Sequence, residues 1–541
     1  MLFNSYEFVF LFLPITAIAF YGLGSRSKSL AIGWLILASL AFYAWWRPLN
    51  VALIAPSILI NYGLSRLLLR YAAEQKTRAA RAVLIAGIAF NVMFLGYFKY
   101  ANFMVSAVND VAGTSYVLEH IILPLGISFI TFQKIAFLVD VAAGRIKEFT
   151  LRDYCLFVLF FPQLIAGPIV HYREVMPQFH AAPCRFDASA AGVGLTLFFA
   201  GLFKKVVLAD GISPMVSAIY ADAAGGHPIT MVYAWMAAIG FTLQIYFDFS
   251  GYSDMAVGIA RLFGVTLPAN FNSPLRASSI IDFWLRWHLT LTRFLTAYIY
   301  NPLSLWLTRR RMAKGLRGVG GRNTPPGAFV TVLMLPTLFT MCISGLWHGA
   351  GYTFIFWGFL HGIFLSINHL WILLTRRYWP DRQRYDFLLN PASFVLTFIA
   401  VVGAMVFFKS NSMKSAWNVF AGMIDRHGIA MPAATLAHLG HFAGLAKTLS
   451  VQIAPPDLQF VPLACWIAGL LAVAWFCPNT LQILSAATPA TGVDLKQPYK
   501  HGPALHLIWR PSFVWLIAVT VTTIVAVLHL GGVSEFLYWQ F

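Results

Sequence analysis

Charge is what this sequence has least of. Only 11% of its 541 residues are Asp, Glu, Lys or Arg, where a soluble domain carries about 25%. Most of the chain therefore has no water to face. Acidic residues are the scarcer sign, 20 against 38 Lys and Arg. The net +18 that results fits a polytopic membrane protein with basic loops, and no soluble basic domain stands out, so nucleic acid is not an expected partner. Cysteines are few. Cys155, Cys184, Cys342, Cys465 and Cys477 form no C-x-x-C pair, which argues against a zinc site or a disulfide framework. G-x-S-x-G, H-E-x-x-H and Walker sequences are missing, as is any visible repeat. Met1 to Glu7 holds no Lys or Arg, so the start does not read as a cleavable signal.

What is present is apolar: 59% of the residues, with a mean hydropathy of +0.71. Candidate spans lie near 7–24, 30–46, 50–69, 82–98, 121–140, 154–170, 191–208, 229–247, 327–346, 352–375, 393–408, 459–477 and 513–532. The expectation is an all-α polytopic membrane protein with roughly 10–13 membrane helices. The first basic residues, Arg26 and Lys28, follow the first span, which places the N-terminus outside the cytoplasm. Alternation then puts two further basic groups on the cytoplasmic side. One is Arg66, Arg70, Lys76, Arg78 and Arg81; the other is Arg145, Lys147 and Arg152.

The centre of the chain differs from its ends. Between Pro124 and His369 the apolar runs carry ionisable and amide side chains, which at membrane depth face a protein interior or a wet cavity. Two stretches read as loops. Thr308 to Gly327 holds Arg309, Arg310, Arg311, Lys314, Arg317 and Arg322, with glycine and a Pro-Pro end. Its charges suit topology or lipid headgroups, and secondarily an anionic acyl donor. Arg426 to Leu458 reads as an extramembrane loop; His438 and His441 there lack a third metal ligand. The division is a core at 1–425, this loop at 426–458, and C-terminal helices at 459–541.

Three stretches carry the chemistry. In "SIIDFWLRWHLTLTRFL" (279–295), Asp282 and Arg286 are four apart and can pair, with Trp284 and His288 on an adjacent face of one helix. An interfacial helix with Trp and Arg at headgroup level explains the same residues. In "QIYFDFSGYSDMAVG" (244–258), Asp248 and Asp254 flank Gly251, which predicts a helix break whose carboxylates shape it or orient a histidine. In "SGLWHGAGYTF" (344–354), His348 precedes two glycines. His361 would lie about 220° further round a continuous helix, so the two pair only if the glycines break it. Without metal or serine, a neutral imidazole serves most simply as a general base on a hydroxyl. A hydrogen-bonded core histidine fits His348 equally well.

These blocks, with "LPLGISFITFQKIAFLVDV" (123–141), "FFPQLIAGPIVHYREVMPQF" (160–179), "GLWHGAGYTFIFWGFLHG" (345–362), "MLFNSYEFVFLFLPI", "FYAWW" and "GYFKYANF", resemble the membrane-bound O-acyltransferase family. The resemblance is to its bacterial branch, which includes the membrane subunit of alginate O-acetylation and the D-alanyl transferase of teichoic acids, and covers about 1–425. It implies a ring of tilted helices around a central channel. It also implies that His348 and His288 are the catalytic histidines, with Trp347, Asp282 and Arg286 as neighbours. No bound cofactor is implied. An acyl thioester, acetyl-CoA or an acyl carrier, would be the co-substrate, and a periplasmic acetyltransferase or polysaccharide machinery the partner, in a bacterial inner membrane. The family's short glycine-rich turn after "YIY" is replaced by the longer basic stretch near 301–323, which bears on the acceptor. Lipid, protein or teichoic acid remain alternative acceptors. A proton-relay transporter would show two matching halves rather than one polar centre. A purely structural subunit would not need either histidine.

Overall fold

Backbone in a bilayer must satisfy its own hydrogen bonds, which leaves helices or closed barrels. This chain takes the helical solution. The structure, a computed structural model, describes all residues except 120, 182–183, 321–323, 379–381, 439–447, 449, 455–456, 494–506 and 533–541. Seven helical stretches are long and apolar enough to cross a membrane: Glu7–Gly24, Leu49–Ala73, Thr77–Ala112, Ala188–Ala224, Pro326–His348, Tyr352–Thr375 and Leu388–Lys409. Three shorter apolar helices, Lys28–Ala44, Phe460–Phe476 and Phe513–Leu528, accompany them. The protein is a multi-pass, all-α membrane protein. Among the described residues its strands are Ala430–Pro432 and Gln452–Ala454, paired in parallel within the stretch expected to be a loop. His441 and Arg322, with the side chain of His438, lie outside the described residues.

Several expected spans are corrected. The run at 121–140 becomes helical only from Ile127, after Gly126 turns the chain at φ +67°. The run at 154–170 is not one helix. Leu151–Leu159 stops at Phe160, because Pro162 supplies no N–H and its ring would meet the carbonyl four residues back. The run at 229–247 extends into a helix of 32 residues, Met231–Leu262, in which every residue from 241 to 260 is buried. The basic stretch after Thr308 is not all loop. Arg309, Arg310 and Arg311 close the helix Asn301–Met312, where cations suit the negative end of the dipole.

The central helix Met231–Leu262 does not break at Gly251, contrary to expectation. Glycine serves there for close approach. Gly251 faces Gly201 and Gly258 faces Gly194, two pairs between this helix and Ala188–Phe203. A Cβ on Gly251 would lie 2.6 Å from the Gly201 carbonyl oxygen. Small residues let membrane helices pack backbone to backbone in this way. The apolar interior forms two clusters. One is built on Phe132, Phe294, Trp347 and their neighbours, the other on Phe249, Trp284, Trp357, Phe408 and theirs. The helix Phe460–Phe476 packs into the second, so part of the C-terminal region belongs to the same body. The seam between the clusters holds the histidines.

Candidate functional site

His348 ends the helix Leu335–His348. The next residue, Gly349, is extended, and a new helix begins at Tyr352. The glycines do interrupt the helix, and glycine is needed at this fold-back on steric grounds. A Cβ on Gly345 would strike the Phe354 carbonyl oxygen, and one on Gly349 the Phe354 ring. The two helices therefore fold back on each other closely. His348 is 3% exposed. Its ring meets Trp347 at 4.9 Å, Trp357 at 5.2 Å and Phe408 at 5.2 Å between centroids.

His288 faces it, ring to ring at 6.2 Å. The single helix expected over 279–295 is instead two short ones, Ile280–Trp284 and Leu289–Leu295. His288 sits between them in the left-handed region, φ +43°, ψ +53°. That conformation is costly for a residue with a Cβ and persists only where the surroundings fix it. The surroundings do. His288 Nδ1 is 3.0 Å from Asn270 Oδ1, which also accepts the Thr290 hydroxyl at 2.9 Å. Asn270 Nδ2 donates to Ser253 Oγ at 3.2 Å. An amide oxygen only accepts, so Nδ1 carries the proton and Nε2 is the basic nitrogen of the neutral ring. Phe249 closes against the imidazole edge-on at 4.7 Å.

The other expected residues fall as follows. Asp282 and Arg286 do pair, at 2.7 Å. Trp284 does not pack on His288; the broken helix sends it to His361 at 5.3 Å and Trp357 at 5.9 Å. Asp248 pairs with Lys205 at 2.7 Å, and Asp254 with Lys204 at 2.6 Å and the Thr480 hydroxyl at 2.5 Å. Histidine orientation comes from Asn270, which the sequence reading missed. "PANFNSP" offered no periodic signal, since Asn270 lies on irregular chain.

Around His348 the indole N–H groups of Trp284, Trp347 and Trp357, the Ser344 hydroxyl and both nitrogens of His361 have no hydrogen-bond partner among the described residues. Buried polar groups are seldom left so. Trp357 stands between the two histidines, 4.8 Å from the His361 ring. The arrangement can take a proton at an imidazole and offer several N–H and O–H donors to a polar guest. Among the described residues, no group of three His, Cys, Asp or Glu side chains could hold a metal.

A ladder of rings leads away from the site. Trp347 stacks on Phe132 at 5.5 Å, Phe132 on Phe294 at 4.3 Å, and Phe294 meets Tyr298 at 4.9 Å. Tyr298 donates to Asp140 at 3.1 Å and lies 3.1 Å from His171 Nδ1. Arg145, Arg173, Glu174 and Arg293 join Tyr298 and His171 around an open cavity of about 420 Å³.

Residues 86–316 match the membrane-bound O-acyltransferase family. A peptidoglycan O-acetyltransferase of Helicobacter pylori is 37% identical over 459 residues, 80% of this chain and 81% of that one. A protein of Pseudomonas aeruginosa named "Probable alginate O-acetylase" is 38% identical over 432 residues, 79% of this chain and 75% of its own. One of the same name from Azotobacter vinelandii is 33% identical over 556 residues, spanning the whole of both chains, so the likeness reaches beyond residue 425. This chain belongs to the membrane-bound O-acyltransferase family and is a multi-pass membrane O-acyltransferase.

Proposed function

We propose that the protein moves an acetyl group from a cytoplasmic thioester, acetyl-CoA or an acyl carrier, to a hydroxyl of an exported polysaccharide, directly or through a periplasmic partner. The observation that carries this reading is the pair of facing imidazoles, His348 and His288, on the seam of two apolar clusters and ringed by unsatisfied donors. The relatives that acetylate, or are named for acetylating, polysaccharides favour acetyl as the group and a glycan as the acceptor. The reading includes a bacterial inner membrane with the N-terminus on the outer side, resting on Arg26, Lys28 and the later basic loops.

The chemistry follows from these groups. His348 takes the proton of the acceptor hydroxyl as its oxygen bonds to the thioester carbonyl carbon. The tetrahedral intermediate collapses, the C–S bond breaks, and the imidazolium returns the proton to the departing thiolate. His288, fixed by Asn270, stands across from it to position the donor or stabilise charge. Tight apolar walls keep out water that would hydrolyse the thioester. The open cavity at Tyr298, Arg145 and Arg173, on the face assigned to the cytoplasm, supports docking of the donor there, where guanidinium groups suit phosphate.

The test is His348→Ala in the native host. Polymer-bound acetyl should fall by about 10²–10⁴ in rate at equal protein level. Acetylation at the wild-type rate would overturn the assignment.

A further inference from the structure

A helix ends in carbonyls with no N–H left inside it to bond. At the end of Leu335–His348, the Gly345 carbonyl accepts from Gly349 N at 3.3 Å. Two consecutive side chains from far away in the chain serve the rest. Tyr100 Oη donates to Leu346 O at 2.8 Å. Lys99 Nζ donates to Trp347 O and lies 3.4 Å from His348 O. Its third neighbour is Ser128 Oγ at 3.5 Å. Among the described residues no carboxylate pairs with Lys99.

Lys99 is not placed as a topology signal. Lysines that set orientation sit in loops, whereas Lys99 lies inside the apolar stretch Thr77–Ala112. Lys99 follows the apolar run 82–98 directly, yet its amine turns inward onto the carbonyls of another helix. The chain there forms a π-helical turn, Gly96–Tyr100, between Thr77–Leu95 and Ala101–Ala112. Such turns re-aim side chains and recur at functional sites. Here the turn sends Lys99 and Tyr100 to one target, the last turn before His348. An amine at a helix C-terminus donates its N–H groups to the orphan carbonyls there.

We propose that Lys99, assisted by Tyr100, is a positioning residue for acyl transfer. It pins the final turn of the His348 helix, which extended Gly349 would otherwise leave free to fray, so that the imidazole faces His288. This rests on His348 being the base.

The experiment compares Lys99→Met, Lys99→Arg, Tyr100→Phe and His348→Ala with wild type in a host lacking the gene. It reads the initial rate of ester-acetyl incorporation into exported polymer at matched protein level, and thermal unfolding in detergent. A misplacement of about 1 Å can cost 10²-fold. Lys99→Met is therefore expected to lose about 10- to 10²-fold in rate with its unfolding temperature nearly unchanged, and Lys99→Arg to recover part of that loss. Wild-type rate in Lys99→Met, or no recovery in Lys99→Arg, overturns the proposal. Should Lys99→Met fail to accumulate, Tyr100→Phe decides. A several-fold loss with normal stability supports the proposal, and a wild-type rate sinks it. His348→Ala at wild-type rate would strike the base assignment itself, a result distinct from the others.

Discussion

His348 and His288 hold their rings 6.2 Å apart and inclined by 61°, and both sit at helix ends: His348 is the last residue of Leu335–His348 and His288 immediately precedes Leu289–Leu295. Both positions depend on contacts from elsewhere in the chain, and this makes the pair sensitive to residues that touch no substrate.

Asn270 is the nearest such residue for His288. Asn270→Ala removes the acceptor that fixes the Nδ1 proton and frees a residue held at positive φ. Acyl transfer should slow by about 10- to 10²-fold, measured as acetyl incorporation at matched protein level. An unchanged rate would show that the tautomer is set some other way.

Asp248 should behave differently. It shares Lys205 with Asp210, each 2.7 Å from the ammonium, in a buried ion-pair cluster. Removing one partner of a buried pair costs about 3–5 kcal/mol. Asp248→Ala should lower the unfolding temperature in detergent clearly, with activity per folded molecule close to wild type. Lost activity without lost stability would return Asp248 to the reaction.

The fold-back at Gly345 gives a steric prediction. Gly345→Val would drive a side chain into the Phe354 carbonyl and push apart the two helices that flank His348. Overpacking of this kind costs about 1–3 kcal/mol, seen as a lower unfolding temperature, and acetylation should fall with it. A stable, fully active variant would contradict the close packing.

Orientation can be read directly. Gln75 lies between two spans, in the loop of Glu74 and Lys76. With the five native cysteines replaced, Gln75→Cys should react with a membrane-impermeant thiol reagent only after the cytoplasmic face is opened. Labelling of intact cells would invert the assigned topology.

Much of this was legible in the sequence because burial in lipid leaves a coarse signature. Long apolar runs and sparse charge gave the class. Several spaced blocks gave the family, and the glycines after His348 marked a place where the helix could break or another element approach. What failed had a common cause. Periodicity assumes regular helix, and at 280–295 the chain leaves it, so Trp284 and His288 part company. At Gly251 the residue type was read as a local breaker when its use is tertiary, a close approach to Gly201. Asn270 and Lys99 were invisible for the same reason: their partners lie 18 and 248 residues away.

The seam described above has a mechanical corollary. Reactive groups seated where two apolar clusters meet report on their alignment, and one helix, Met231–Leu262, runs through both. Bilayer strain that tilts this shared helix is expected to show in turnover before any helix melts. Liposomes of graded acyl-chain length would expose this as activity peaking at one bilayer thickness while the unfolding temperature stays level. A flat response would mean that the shared helix is held rigid against the bilayer.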